Sequence, residues 1–458
     1  MKISKENIGY LVTITKEEKG KKIISKGYVV EVFPDAVKLK LIDNGYNIDV
    51  TIDSKTKVEI SKEKISLGKP SSAKLKENNS LPNICYIGTG GTIGTHVDYV
   101  TGGVHMCRTP EEIISTTPEL QHIVNIKKIK SPFIKASEDL TFKDWELIAK
   151  DVFEELNNKE IDGIIITHGT DTLSWTGTAL SFMIEKINKP VLLVGAQRSP
   201  DRASFDGAMN LVCAAHFIKE KIAGVYTVMH GTINDDFCYV INACKSKKLH
   251  TSRRDAFRAI NDLPVCKVHS NGEVEYLKDV NKTSNPSAIK PILHNTFEDK
   301  VAIIKAYPNS DPSIIDWYIE KGYRGLIIEG TALGHVPTGS GGLDKDFPKD
   351  KNWLPFLEKA HKKGIILIMT SQSMFGRVNG RVYANLRYIA GAGVEYLDSH
   401  DMLPEVAYIK LGVALSRFKK REDIIKYMEA SIAGEVSDKE NPDMFDKALE
   451  WSRGKIDA

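Results

Sequence analysis

Hydrophobic and polar positions follow two patterns that divide the chain into three blocks. Up to residue 67, short runs such as KGYVVEVF and AVKLKLI alternate apolar and polar residues between turn residues, which predicts a small β-barrel domain. From 82 to 285, continuous apolar runs such as GIIIT and VLLVG alternate with amphipathic stretches such as TALSFMIEKI, a pattern typical of a parallel sheet covered by helices. Residues 286–458 repeat this second pattern with VAIIKAYP and IILIMTS, so we expect a second α/β domain there.

The length of the chain supports this division. Its 458 residues exceed the roughly 100 to 200 residues of an ordinary domain. Residues 68–81, GKPSSAKLKENNSL, are polar and lack apolar periodicity, so we expect a linker between the first two blocks. A second polar, Pro-interrupted stretch at 271–299 marks the boundary between the two α/β domains.

Charge and hydropathy limit the kinds of partner. The formal net charge is only +3, so no global feature demands a nucleic acid or a membrane. The first 80 residues are nevertheless basic, with 16 lysines against 11 acidic residues. A basic barrel could follow a phosphate backbone, although lysines scattered along strands more often form a solvated face. No run approaches the ~20 apolar residues of a membrane span, and the start of the chain lacks the apolar core of a signal peptide, so we expect a cytoplasmic protein.

The first candidate for chemistry is the glycine-rich segment GTGGTIGTH at residues 88–96, directly after the apolar run NICYI. Glycines at the carboxyl end of a strand let the backbone approach a ligand closely. The spacing of Gly88, Gly90 and Gly94 does not fit a dinucleotide fingerprint. The alternatives are a structural turn, or a site that presents the hydroxyl of Thr92 below a loop carrying Tyr99.

Two further segments carry candidate groups. THGTDTLSW, residues 167–175, places Thr170 and Asp171 at a helix N-terminus, where the helix dipole favours negative charge, although Asp171 could equally be a simple cap. KLHTSRRDAF, residues 248–257, offers Lys248, which could deprotonate a threonine hydroxyl or be an ordinary surface lysine.

The sequence lacks the motifs of several other catalytic classes. The twelve histidines include no HExxH and no combination with CxxC, so we expect no metal site. The sequence contains neither a GxSxG elbow nor a GxxxxGK[ST] loop, which argues against a serine hydrolase and a P-loop ATPase. The six cysteines show no CxxC pairing, and we expect reduced thiols.

TGGTI at residues 89–93 and HGTDT at residues 168–172 together resemble the two signatures of the L-asparaginase family. The resemblance covers roughly residue 81 to the C-terminus. It implies two α/β domains and an amidohydrolase in which a threonine hydroxyl attacks a side-chain carboxamide without a metal. The two threonines, the aspartate and the lysine of the family site correspond to Thr92, Thr170, Asp171 and Lys248.

The resemblance also implies substrate contacts. Ser137 and Glu138, in IKASEDL, match the family's contacts to the substrate carboxylate and amino group, and Gly91 lies in the glycine turn. Tyr99 stands where the family's lid tyrosine would lie. Glu405, in DMLPEVAYIKL, resembles an acidic residue contributed by a neighbouring subunit, which implies at least a dimer.

Within the family, the extra N-terminal domain and segments such as KLHTSRRDAFRAIN resemble the D-type subunits of archaeal glutamyl-tRNA(Gln) amidotransferases. This similarity implies release of ammonia from L-glutamine, or from L-asparagine, for an E-type partner subunit that amidates Glu-tRNA(Gln). ATP and Mg²⁺ would bind the partner, with no cofactor in this chain, and the assembly would be a homodimer within a heterotetramer. Two alternatives are a free-standing asparaginase and a non-catalytic scaffold that binds tRNA through its basic barrel.

Overall fold

The computed structural model describes residues 3–18, 20–43, 45–64, 78–97, 104–106, 117–200, 202, 204–283, 286–440 and 445. The first block holds five strands, which are β1 Tyr10–Glu18, β2 Lys21–Val32, β3 Ala36–Leu41, β4 Asn47–Thr51 and β5 Lys57–Lys64. They form one antiparallel sheet in the order β4-β3-β2-β1-β5 around a small apolar core of Val12, Ile14, Val29, Val37 and Leu39. No pairing closes β4 onto β5 among the described residues, so the barrel itself remains a prediction.

The second block contains thirteen strands and three helices within the described ranges. They are β6 Asn83–Gly88, β7 Thr95–Val97, β8 Val104–Met106, β9 Asn125–Lys130, α1 Phe142–Asn157, β10 Gly163–Thr167, α2 Leu173–Met183, β11 Ile184–Glu185, β12 Pro190–Val194, α3 Gly207–Ile218, β13 Gly224–His230, β14 Phe237–Asn242, β15 Ser246–Lys248, β16 Phe257–Ala259, β17 Cys266–His269 and β18 Val274–Tyr276.

Eight of these strands form the main sheet, in the order β18-β17-β14-β13-β12-β10-β6-β9. The strands from β13 through β12, β10 and β6 to β9 are parallel, whereas β14, β17 and β18 run antiparallel to their neighbours. The expectation of a purely parallel sheet is therefore wrong for this half. Only residues 231–236 join β13 to β14, and a parallel crossover needs a dozen or more residues.

The third block is a smaller α/β unit. Its elements are β19 Ile292–Leu293, β20 Val301–Lys305, α4 Ile314–Glu320, β21 Gly325–Gly330, α5 Gly339–Gly342, α6 Leu354–Lys362, β22 Ile366–Ser371, α7 Ala384–Gly391, β23 Val394–Glu395, α8 Pro404–Arg417 and α9 Arg421–Glu429. Its sheet, β20-β21-β22-β23, is parallel throughout, as predicted. None of the helices in the described part of the chain is long and apolar enough to cross a membrane.

The two α/β units share a continuous core. Helix α2 is buried over almost its whole length and packs against α8, where the rings of Trp175 and Tyr408 meet edge to face. Phe142 of α1 stacks on Phe297, with ring centroids 4.2 Å apart. The short strand β19 pairs with β11 of the preceding unit, so a backbone pairing also joins the two units. The predicted divisions at residues 67, 81 and 285 remain predictions, and most of the linker lies outside the described residues.

Candidate active site

Two glycine turns meet at the carboxyl ends of the neighbouring strands β6 and β10. Gly90 and Gly91 both have positive φ, at 109° and 84°. A Cβ placed on Gly91 would lie 2.3 Å from the amide nitrogen of Gly169, and one on Gly169 would lie 2.7 Å from the side chain of Ser137. Only glycine allows this approach, so the two signature segments and the segment carrying Ser137 are held in direct contact.

Thr170, Asp171 and Lys248 form one hydrogen-bonded group. The ammonium of Lys248 donates to Thr170 Oγ1 at 2.8 Å and to Asp171 Oδ1 at 2.7 Å. Thr170 is buried, and the side chain of Lys248 is 14% exposed, but that of Asp171 is 65% exposed. The group therefore joins the buried hydroxyl of Thr170 to the solvent-exposed carboxylate of Asp171. A small substrate that enters from solvent could contact both.

The position of Lys248 depends on a short hairpin. Lys248 ends β15, which pairs antiparallel with β16, and the amide of Leu249 donates to the carbonyl oxygen of Ala256 just beyond the last pair. Side chains alternate along a strand, so Lys247 and Lys248 point to opposite faces. Only Lys248 faces the two signature segments.

His168 lies beneath the site and is neutral. Its Nδ1 donates to the carbonyl oxygen of Gly169 at 2.8 Å, and its Nε2 accepts from the hydroxyl of Thr176 at 2.8 Å. Thr176 in turn accepts from the indole nitrogen of Trp145 at 3.0 Å. Complete burial lowers the pKa of His168 to about 4. The histidine of HGTDT thus supports the Gly169 turn, a role that the sequence pattern did not indicate.

The remaining predicted site residues differ in their placement. Thr92 is half-buried and begins a 3-10 turn, Thr92–Gly94, directly after the glycine pair. Ser137 is buried against Gly169, and its carbonyl oxygen accepts from the hydroxyl of Thr172 at 2.7 Å. Glu138, the next residue, is exposed. Tyr99 lies outside the described residues.

Glu405 does not join this group in its own chain. It lies in the first turn of α8, is 4% exposed, and binds the ammonium of Lys247 at 2.5 Å. Lys247 leaves the opposite face of β15 from Lys248, so Glu405 is separated from Thr170 by that strand. The prediction that Glu405 reaches a neighbouring subunit gains no support from this contact.

Comparisons with known proteins place the chain in a family. A family profile described as "Asparaginase, N-terminal" matches residues 83–282, and one described as "Glutaminase/Asparaginase C-terminal domain" matches residues 300–428. The chain belongs to the L-asparaginase family. Within this family, it is 41% identical over 444 residues to the D-type subunit of glutamyl-tRNA(Gln) amidotransferase from Pyrococcus horikoshii, covering 94% of this chain and 95% of that protein. The corresponding protein of Methanococcus maripaludis is also 41% identical, over 80% of this chain and 84% of its own length.

Solved asparaginases share the fold. The L-asparaginase from Thermococcus kodakarensis aligns with a TM-score of 0.67 and 26% identity, covering 78% of this chain and all of that one. L-asparaginase I from Vibrio cholerae aligns with a TM-score of 0.65 and 26% identity, covering 78% of this chain and 99% of its own. The family profiles begin at residue 83, so the N-terminal sheet is an addition to the asparaginase-family domains.

One further element borders the site and was not predicted from the sequence. A Cβ on Gly195, which follows β12, would lie 2.7 Å from Thr170 Cγ2, so this loop also packs against the candidate hydroxyl. The buried carboxylate of Asp206 accepts hydrogen bonds from the backbone amides of Gln197 and Arg198 and closes the loop. The sequence could have indicated this loop, because it follows a third parallel strand of the same sheet and so lies at the same edge as the two signatures.

Proposed function

We propose that this chain is the D-type subunit of a glutamyl-tRNA(Gln) amidotransferase and that it releases ammonia from L-glutamine with a threonine hydroxyl. The E-type partner subunit then uses the ammonia to amidate Glu-tRNA(Gln) to Gln-tRNA(Gln). The observation that carries the hydrolytic step is the bonding of Lys248 to both Thr170 and Asp171 beside two glycine turns. The transfer step rests on the D-type relatives, whose similarity extends over 94% of the chain and so beyond residues 83–428.

The geometry assigns a task to each group. Lys248 accepts the proton from Thr170 Oγ1, and Asp171 stabilises the ammonium that results. Either Thr170 attacks the carboxamide carbon itself or it activates Thr92, the second hydroxyl of the site. Backbone N–H groups of the turn at Gly91 donate to the oxyanion. The C–N bond then breaks as the Lys248 ammonium returns its proton to the leaving nitrogen, so ammonia departs, and water hydrolyses the acyl-enzyme to glutamate.

Substrate binding completes the proposal. The α-carboxylate of glutamine binds near Ser137, and its ammonium binds the exposed carboxylates of Glu138 and Asp171. Tyr99 covers the bound substrate. ATP and Mg²⁺ bind to the partner subunit, as the similarity to the D-type subunits implies. The working assembly is a homodimer within a heterotetramer in the cytoplasm.

A second candidate is a free-standing L-asparaginase, favoured by the solved L-asparaginases that align over their whole length. One experiment separates the two. Ammonia release from glutamine and from asparagine is measured with the full chain alone and then with the E-type partner subunit, ATP and Glu-tRNA(Gln). Strong stimulation of glutamine hydrolysis by the full mixture supports the amidotransferase subunit, whereas rapid asparagine hydrolysis that ignores the additions supports the asparaginase.

Substitutions test the assigned groups in the same assay. Thr170→Ala and Lys248→Ala should each lower kcat by about 10² to 10⁴, because each removes a member of the proton-transfer group. Lys267→Ala is the matched control, since Lys267 pairs with Glu275 at 2.9 Å in a partly exposed ion pair on β17 and β18. Near-normal turnover by either site variant would remove the hydroxyl or its base from the mechanism.

A further inference from the structure

We propose that Asp401 and Glu405 are positioning residues for Lys248, which they hold in place through the two other lysines of its segment. The proposal rests on the function given above, in which Lys248 is the base. It assigns Glu405 to the site of its own chain rather than to that of a neighbouring subunit. It also makes the C-terminal domain part of the catalytic arrangement.

Three lysines of the segment CKSKKL bind three different partners. Lys245 donates to Asp401 Oδ2 at 2.8 Å, and both side chains are only 3% exposed. Lys247 binds Glu405 Oε1 at 2.5 Å, and the carboxylate side chain is 5% exposed. Lys248 reaches Thr170 and Asp171 on the other face. The three-residue strand β15 therefore lies between the C-terminal domain and the site, with one ion pair at the residue before the strand and one at its middle residue.

The Asp401 carboxylate is itself held by several groups. Its Oδ1 accepts from the backbone amide of Ser437 at 3.0 Å, and the Ser437 hydroxyl accepts from Lys245 at 3.1 Å. Burial alone would raise the pKa of Asp401, but the Lys245 ammonium outweighs burial and lowers it. The Asp401 carboxylate thus remains ionised, and Ser437 fixes the geometry of the pair by contacting both partners.

The backbone before Asp401 carries strain. Leu397, Asp398 and Ser399 have consecutive positive φ values of 46°, 52° and 66°. Residues other than glycine disfavour this conformation, and runs of it persist only where surrounding contacts enforce them. Here Arg377 donates to the carbonyl oxygen of Ser399 at 3.0 Å, and His400 donates to that of Met369 at 2.8 Å. The fold thus maintains a costly turn that delivers Asp401 to Lys245.

The two ion pairs matter more for the position of β15 than exposed pairs would. Removal of one partner leaves a poorly solvated charge that must move to find water or another acceptor. Because Lys247 and Lys248 are adjacent in one strand, a displacement of Lys247 shifts the ammonium of Lys248 relative to Thr170. A shift of this kind slows proton transfer without removing any group that contacts the substrate.

The test uses the full chain with its partner subunit, ATP and Glu-tRNA(Gln). Glu405→Gln and Lys247→Met should each lower kcat about tenfold with less than a twofold change in KM, and the double variant should be no slower than the slower single variant. Glu185→Gln is the control. Glu185 binds Arg417 at 2.7 Å. Arg417 lies at the other end of α8, about 18 Å along the helix from Glu405 at a rise of about 1.5 Å per residue. Glu185→Gln should therefore leave kcat within twofold.

Three outcomes would overturn the proposal. The first is a kcat of Glu405→Gln that equals that of the parent chain. The second is a double variant in which the losses of the two single variants multiply. The third is a loss of kcat in Glu185→Gln as large as in Glu405→Gln at equal thermal stability. Failure of the proposed function gives a different result, because Lys248→Ala would then retain activity as well. If Lys248→Ala is inactive and Glu405→Gln is normal, only the positioning role is refuted.

Discussion

Gly91→Ala tests whether contact between the two signature turns sets the catalytic geometry. The added Cβ would start 2.3 Å from the amide nitrogen of Gly169, whereas ordinary contacts begin at 3.4 Å. The two turns must therefore separate by about 1 Å, the difference between these two distances. A misplacement of about 1 Å can reduce turnover on the order of 10²-fold, so we expect a loss of this size in kcat/KM.

The effect of backbone strain on activity can be separated from the effect of the steric contact with Gly169. Gly91 has a φ of +84°, so alanine there also adds conformational strain of roughly 1 to 2 kcal/mol. Gly322, after α4, has a similar φ of +72°, but apart from its chain neighbours no described residue has an atom within 4 Å of the added Cβ. Gly322→Ala should thus lower thermal stability by the strain alone and leave kcat/KM unchanged.

The assay compares ammonia release and thermal unfolding for both variants at a temperature where both are folded. If Gly91→Ala kept kcat/KM within about threefold of the parent chain, the turns would not need their present separation, and the reasoning would fail. An equal loss of activity in Gly322→Ala would show that backbone strain, and not contact at the site, causes the effect.

Three further predictions concern stability and are checked by thermal and denaturant unfolding. The unfolded chain binds a proton at His168 near pH 6.5 and the folded chain only near pH 4, so roughly 3 kcal/mol of stability should be lost as pH falls through this window, and less in His168→Gln. Lys410→Met leaves Glu435 buried without its 2.6 Å partner and should cost about 3 to 5 kcal/mol. Asp206→Ala removes the buried acceptor of two partly buried loop amides and should cost about 1 to 3 kcal/mol.

The strand ends that carry the two signatures could be predicted because runs such as NICYI and GIIIT are short, apolar and followed at once by glycine turns. Parallel strands then bring both turns to one edge of the sheet. The antiparallel half of the sheet could also have been predicted, since only residues 231–236 connect β13 to the next strand. The closure of the N-terminal sheet into a barrel stays a prediction, because alternation within strands does not determine which edges pair.

The contacts between distant residues could not be derived from pattern. Lys248 and Asp171 are 77 residues apart, and only the family resemblance suggested that they meet. The support of Gly169 by His168, Thr176 and Trp145 depends on buried hydrogen bonds that leave no periodic signal in the sequence. The ion pair of Glu405 with Lys247 likewise joins residues 158 positions apart, so a sequence comparison alone could place Glu405 near a site without showing which chain's site it serves.

The site therefore combines two kinds of support. Thr170 and the glycine turns are fixed by adjacent strands of one sheet, whereas the strand that carries Lys248 is tied by buried ion pairs to the C-terminal domain. A displacement of β15 would therefore move the lysine relative to the hydroxyl and the turns. Since salt screens buried pairs far less than exposed ones, this coupling should persist at ionic strengths that weaken the partly exposed pairs on the surface.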